Sequence, residues 1–244
     1  MTGVRYPVVE LRQYTLHPGR RDELIGLFER ELIEPQEAAG MAVVGQFRDV
    51  DDPDRFVWVR GFPDMAGRAG ALRRFYGGPV WRAHCEQANA TMIDSDNVLL
   101  LRPAGPRPGF PAPAASRPPA SHGIPPPSRI TATLCCRDRP FDEAFTDFFA
   151  SQVGPVMNET GAPPLACLQT EHAENTYPAL PVRSGENVFV WFSRFADAAA
   201  LRAHRDALAR CGEWGGRVRP ALLAMLTSEP QQLTLAPTPR SLLR

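Results

Sequence analysis

The motif Phe56-Val57-Trp58 returns as Phe189-Val190-Trp191, and in each place a second tryptophan, Trp81 or Trp214, follows the first by 23 positions. The chain is an internal duplication. Both tryptophan pairs are offset by 133, as are Phe62 and Phe195, Asp64 and Asp197, and Met92 and Met225. Upstream, Phe28 matches Phe149 and Gly40 matches Gly161 at an offset of 121, so the second copy holds 12 more residues (133 − 121 = 12), around Asn175 to Gly185 between two predicted strands. Two copies of one unit must share a fold and are expected to pack about a pseudo-twofold axis, which makes a pocket the first thing to look for.

Local patterns give each copy its element order. Residues 8 to 16 alternate as a strand does, His17-Pro18-Gly19 breaks them, and Leu24, Leu27, Phe28 and Leu32 then fall on one helical stripe that Gly40 ends. Residues 41 to 50 and 55 to 62 read as strands joined by the turn Asp51-Asp52-Pro53-Asp54. Asp64 is placed to cap a helix reaching Tyr76, and after Gly77-Gly78 a second helical piece starts at Pro79 and runs to Met92. Residues 97 to 102 supply the fourth strand, giving β-α-β-β-α-β, the ferredoxin-like order. The second copy repeats it, with strands near 129–136, 165–171, 187–195 and 231–235, one helix over 141–160 and another from Asp197. Between the copies, residues 103 to 128 hold ten prolines, a composition expected to be an extended or mobile tether. The predicted organisation is a first unit over 1–104, a proline-rich linker over 105–128, a diverged second unit over 129–236 and a tail over 237–244. Each four-stranded sheet carries helices on one face only. Pairing the open faces predicts an α+β fold in which two ferredoxin-like units close into an intramolecular α/β barrel with helices outside.

Composition narrows function. Acidic and basic residues balance at 27 each, so there is no electrostatic footprint for nucleic acid or an anionic membrane. No run of 18 apolar residues and no apolar signal core occurs, from which a cytoplasmic address is expected. All 27 basic residues are arginine. Without lysine there is no Schiff-base aldolase, no internal pyridoxal-phosphate aldimine and no P-loop lysine. Five cysteines without a Cys-x-x-Cys argue against a disulfide framework or zinc knuckle, and Cys135 and Cys136 should point to opposite faces of their strand. The histidines, His17, His84, His122, His172 and His204, form no metal-binding pair. No cofactor and no metal is therefore expected, with iron or haem ligated by His84 or His204 as the less favoured option. Dinucleotide and nucleophile-elbow motifs are absent.

The two-residue period of the strands sorts Val9, Leu11, Val57 and Val59 onto one face, expected to lie under the helices. Glu10, Arg12, Tyr14, Phe56, Trp58 and Arg60 fall on the other, with Gln46 and Arg48 joining them, expected to meet the partner sheet. The repeat offsets turn this polar set into Thr131, Thr133, Cys135, Cys167, Gln169, Trp191 and Ser193, so the aromatic survives and the charges vanish. Two readings stand. In one, Glu10 and the arginines form an ion-pair ladder that holds register with little net stability. In the other, Arg12, Arg48 and Arg60 hold a small anionic or phenolic molecule against Trp58, since guanidinium forks suit carboxylates and enolates. Tyr14 or His84 would then move a proton. Trp81 lies three positions before His84 on one helical face and adds to the substrate-binding set of Glu10, Arg12, Gln46, Arg48, Trp58 and Arg60.

Glu10-Leu11-Arg12-Gln13-Tyr14-Thr15-Leu16 with Pro18-Gly19 after it, then Phe56-Val57-Trp58, Phe75-Tyr76, Trp81 and Leu99-Leu100-Leu101-Arg102-Pro103, resembles a NIPSNAP domain over about residues 8 to 103. The second unit resembles the family mainly through Trp191 and Trp214 and lacks the Arg-x-Tyr pattern. The resemblance implies the dimeric α/β-barrel superfamily, with this chain a fused pair. That superfamily includes cofactor-free monooxygenases of aromatic polyketides, lactone isomerases and haem proteins. The expected function is small-molecule binding, with cofactor-independent oxygenase, isomerase or cyclase chemistry on an aromatic or polyketide-like anion of secondary metabolism. A non-enzymatic binding or scaffold module is the alternative, and further homodimerisation of the fused pair stays open.

Overall fold

A computed structural model describes residues 5–105, 109–113, 116–120 and 123–244. The strands are β1 (Val8–Leu16), β2 (Ala42–Asp49), β3 (Arg55–Phe62), β4 (Met92–Asp94), β5 (Val98–Pro103), β6 (Arg129–Arg137), β7 (Pro164–Thr170), β8 (Asn187–Phe195) and β9 (Gln231–Pro237). In the order β3-β2-β9-β6-β8-β7-β5-β1, with β1 returning to β3, eight of them close an antiparallel barrel, and β4 adds to β1 at its end. Each copy contributes four adjacent strands, and the seams are β2 with β9 and β5 with β7. Each seam pairs one copy's second strand with the other copy's last. That exchange is the pseudo-twofold relation, and it leaves no unpaired sheet edge in the ring.

The repeat offsets hold residue by residue. Arg12 pairs with Trp58 as Thr133 pairs with Trp191, and the register shift at Val43/Gly45 recurs at Pro164/Ala166. The first helix runs as α1 (Arg21–Leu27), a π-turn over Phe28–Leu32, and α2 (Ile33–Ala38). Its counterpart runs as α5 (Glu143–Phe148), a π-turn over Phe149–Val153, and α6 (Gly154–Glu159). Gly40 and Gly161 end these helices at φ 95° and 88°, a left-handed conformation that a side chain would strain. Asp64 and Asp197 cap α3 (Met65–Tyr76) and α7 (Ala198–Arg210) by accepting from the backbone N–H of Gly67 and Ala200. After α3 comes α4 (Pro79–Asn89). After α7 come a π-turn over Trp214–Val218 and α8 (Arg219–Leu223). Sequence periodicity carried α4 on to Met92, but the helix stops at Asn89 and Met92 begins the short β4.

Two kinds of core result. The barrel interior is filled by Val9, Leu11, Val57, Val59, Leu99 and Leu101 from the first copy, against Ile130, Ala132, Leu134, Val188, Val190 and Phe192 from the second. The opposite strand faces pack on the helices, Trp58 and Phe56 against Phe28, Leu72 and Phe75 in the first copy and Trp191 and Phe189 against Phe149, Val218 and Leu222 in the second. This inverts the predicted faces: Val9, Leu11, Val57 and Val59 line the barrel, and Glu10, Arg12, Tyr14, Trp58 and Arg60 lie under the helices. The physical reason is partner chemistry. Across the barrel the other sheet offers a cluster of apolar side chains, whereas α2 and α3 supply Gln36, Arg68 and Tyr76. Cys135 joins the sheet–helix core and Cys136 packs on the barrel core, opposite faces as expected.

The described part of the linker is docked rather than free. Phe110 is buried against Phe192 with ring centroids 4.8 Å apart. Arg117 donates to the carbonyls of Val43 and Arg240, each at 2.6 Å. Two anchors spaced along a polyproline-rich segment are enough to lay it on the surface. The tail is held too, with Arg240 bonded to Glu29, Glu34 and the carbonyl of Pro118. His122 lies outside the described residues. Among the described residues no helix is long and apolar enough to cross a membrane.

Candidate functional site

In the first copy the sheet–helix layer is occupied by charge. Glu10 is fully buried and takes three guanidinium groups: Arg12 Nη1 at 2.7 Å and Arg60 Nε at 2.8 Å on Oε2, and Arg68 Nε at 2.6 Å on Oε1. Arg60 Nη2 also lies 2.7 Å from Oε2, an ion pair by distance without hydrogen-bond alignment. Arg12 Nε donates to the Tyr14 hydroxyl at 2.9 Å, and Arg60 Nη1 reaches Gln36 Oε1 and the Tyr76 hydroxyl, both at 3.4 Å. Aromatic faces back the cations, with Arg60 5.0 Å and Arg12 5.6 Å from the Trp58 ring. Burial pushes the Glu10 carboxyl up, but attraction to Arg60, Arg12 and Arg68 outweighs it and holds the group well below the usual carboxylate range. Burial also raises the Tyr14 phenol, partly offset by Arg12.

This cluster is roofed by the other copy. The 12-residue gain lies in the stretch from Glu171 to Glu186, which leaves β7, crosses the seam and covers the first copy's layer. Glu171 N–H donates to the carbonyl of Leu100 and Arg183 N–H to that of Val98, so the strap follows β5. Asn175 Oδ1 accepts from Arg68 Nη1 at 2.9 Å, Tyr177 stacks on Tyr76 at 6.2 Å, and Leu180 and Val182 pack on the first copy's core. What remains beside the cluster is a cavity of about 30 Å³, lined by Tyr14, Gln36, Trp58, Phe75, Tyr76 and Trp81 among others.

The second copy is built the other way. The repeat offsets replace Glu10, Arg12 and Arg60 by Thr131, Thr133 and Ser193, and Tyr76 by Ala209. Where the sheet loses its three large charged side chains, a cavity of about 230 Å³ opens. Its walls include Thr131, Thr133 and Ser193 from the sheet, Trp191 and Trp214, and His204 from α7. The hairpin equivalent to the strap, Val50 to Asp54, pairs at its start with the carbonyl of Thr234 and turns back, so among the described residues no strap runs down β9 past Gln232, which lines the cavity and bonds Arg205 of α7. His204 Nδ1 lies 3.0 Å from the carbonyl of Thr160. Because a carbonyl only accepts, this contact fixes the neutral tautomer with hydrogen on Nδ1 and the lone pair on Nε2, for which the described residues supply no partner. Burial holds the His204 pKa below its ordinary value, against the Thr160 hydrogen bond, with Arg205 adding to the depression.

The predicted site residues divide accordingly. Glu10, Arg12, Tyr14, Trp58 and Arg60 come together, with Trp81 on the wall of the small cavity. Gln46 sits on the same strand face beside Trp58, buried with its side-chain amide unpaired, and its backbone bonds Ser241 and Thr238. Arg48 stands apart at the rim, bonded to exposed Asp22. His84 is also separate, 3.8 Å from Glu31 of the neighbouring first helix. Arg68 was missed, although it heads the stripe Arg68, Leu72, Phe75 that turns toward the sheet. The strap was legible as an insertion but not as a cover. His204 was noted only as a helical histidine and a less favoured iron or haem ligand; its counterpart is Ala71, and that departure between copies is the signal that marks it.

A closed antiparallel barrel made of two ferredoxin-like halves, each with a sheet–helix layer, defines the class. The same fold is found in a candidate monooxygenase from Fusobacterium nucleatum (TM-score 0.57, 9% identity, covering 98% of this chain and 94% of that one). It recurs in an anthrone oxidase-like protein (TM-score 0.57, 14% identity, 95% and 91%) and in a candidate monooxygenase from Lactobacillus acidophilus NCFM (0.53, 12%, 96% and 94%). Within that class, residues 9–106 match the NIPSNAP family model, and the first copy is a NIPSNAP domain. No curated protein matches the sequence.

Proposed function

We propose that the protein binds a small aromatic molecule in the second copy's cleft and removes a proton from it, the step shared by cofactor-independent oxygenation, isomerisation and cyclisation. The cavity of about 230 Å³ carries this reading. A dry cavity of roughly 150 Å³ accepts benzene, so this one suits a substituted ring, with a larger body extending from the open mouth. Trp191 and Trp214 offer ring faces, the hydroxyls of Thr131 and Thr133 and the amide of Gln232 offer hydrogen bonds, and His204 Nε2 is the proton acceptor. A phenolic or enolisable ring is the fitting substrate class. The fold shared with an anthrone oxidase-like protein supports an aromatic substrate.

The test is a thermal-shift and calorimetric screen with single-ring phenols, aromatic acids and quinones. A true ligand raises the melting temperature of the wild type, and Thr131→Met, which fills the cavity, removes the effect while circular dichroism stays unchanged. Binding that survives Thr131→Met would overturn the site. His204→Asn separates chemistry from binding by keeping affinity and losing proton exchange at the ligand.

The scaffold reading keeps one specific support. The barrel interior holds an apolar core and Glu10 is paired to arginines, so the first copy by itself resembles a structural element.

A further inference from the structure

The first copy's buried cluster is out of electrical balance. Arg12, Arg60 and Arg68 are each at most 1% exposed and share a single carboxylate, Glu10, which leaves an excess of two positive charges (3 − 1 = 2). The other polar groups within reach are neutral: Gln36, Tyr14, Tyr76 and Asn175. A desolvated charge is costly unless an opposite charge answers it, and aromatic faces answer only in part.

Beside this excess, three donors line the cavity of about 30 Å³ without an acceptor. The Trp58 indole N–H is buried and unpartnered. The Tyr14 oxygen already accepts from Arg12, and the Tyr76 oxygen from Arg60, so both hydroxyl hydrogens must point elsewhere, and among the described residues nothing takes them. Tyr14 keeps that hydrogen at neutral pH, because burial raises its phenol. Arginines thus occupy the oxygens of two tyrosines that line the pocket and leave their hydroxyl hydrogens, like the Trp58 indole N–H, without an acceptor.

We propose that this pocket is an anion site, holding a free monovalent anion of halide or formate size between the Trp58 indole N–H and the hydroxyls of Tyr14 and Tyr76. The volume, far below the roughly 150 Å³ that accepts benzene, suits a small ion rather than a ring. The second copy has lost Glu10, Arg12, Arg60 and Tyr76 together and has no equivalent site, so the inference is independent of the ligand proposed for that copy.

The test uses the whole chain. Melting temperatures are compared at constant ionic strength in bromide, chloride, formate, benzoate and gluconate, for wild type and Tyr14→Phe, and crystals are grown in bromide. The expected results are an anomalous peak at the Trp58 Nε1 and Tyr14 hydroxyl, and saturable stabilisation of the wild type by bromide, chloride and formate relative to gluconate. Tyr14→Phe should bind bromide about tenfold more weakly, the loss of one hydrogen bond to a charged group. A water refined in the cavity with no bromide would overturn the site, as would anion effects identical in wild type and Tyr14→Phe. Stabilisation by benzoate equal to that by bromide would overturn the free-ion assignment in favour of a carboxylate head. Thr131→Met should leave every anion effect intact, which keeps failure here separable from failure of the second-copy cleft.

Discussion

The two sheet–helix layers share one backbone plan and have opposite contents. In the first copy, Glu10, Arg12, Arg60 and Tyr76 fill the space and a strap from the second copy covers it. In the second copy, Thr131, Thr133 and Ser193 leave it open, and the short Asp51–Asp54 turn does not cover it. Duplication supplied one fold twice, and divergence put charge into one half and volume into the other. The strap shows that these changes are linked across the pseudo-axis: the insertion in the copy with the open cleft is what closes its partner.

The sharpest way to break this comparison is to remove the carboxylate that the charges share. Glu10→Gln leaves three buried guanidinium groups without their shared carboxylate and should cost about 3–5 kcal/mol in urea unfolding, as for other broken buried pairs. The equivalent change in the open copy, Thr131→Ala, should cost about 1 kcal/mol or less, a small loss typical outside crowded cores. Equal costs would mean that the copies are energetically alike. Next in size, Asn175→Ala with Tyr177→Ala should release the strap and cost about 1–3 kcal/mol, from one charge-assisted hydrogen bond and one ring contact. Hydrogen exchange should then rise at the Glu171 and Arg183 amides, which donate to the Leu100 and Val98 carbonyls of β5, and not along β9. The smallest effect belongs to Arg48→Ala, an exposed pair with Asp22 worth about 0–1 kcal/mol.

Acid should also tell the layers apart. The folded pKa of Glu10 is depressed, so its stabilising contribution is complete above the ordinary glutamate value of about 4.3 and is lost as pH falls toward the folded value. His204 is depressed as well, and its contribution starts to fall below the ordinary histidine value of about 6.5. Stability of wild type between pH 6.5 and 4.5 should therefore slope downward with acid more steeply than that of His204→Asn. Parallel curves would remove the buried neutral imidazole from the account.

Much of this was legible beforehand because duplication is a strong constraint. The offsets 121 and 133 matched strand to strand and Asp64 to Asp197, and the pairing register follows them, since a repeat fixes equivalences that propensity cannot. Alternation also grouped Glu10, Arg12, Tyr14, Trp58 and Arg60 correctly as one face. Which face points inward was not legible from period two alone, because in a helix-covered barrel both faces are buried. The deciding information lay in other elements. Residues opposite across the barrel, such as Ala132 and Val190, offer no polar atoms, while Arg68 and Gln36 on helices do. Arg48 was misplaced because strand parity says nothing about distance from the rim, and His84 because a helical position does not say which side packs. The cavity in the second copy could be inferred only by setting side-chain volumes of the two copies side by side at known register.

The most direct test of the account is the response of the four indole N–H signals, assigned by single Trp→Phe substitutions, when an aromatic ligand identified by thermal shift is titrated into isotope-labelled protein. The account predicts that the Trp191 and Trp214 signals move and saturate together while those of Trp58 and Trp81 stay fixed. Movement of Trp58 and Trp81 with Trp191 and Trp214 unmoved would place the ligand in the closed layer and contradict it.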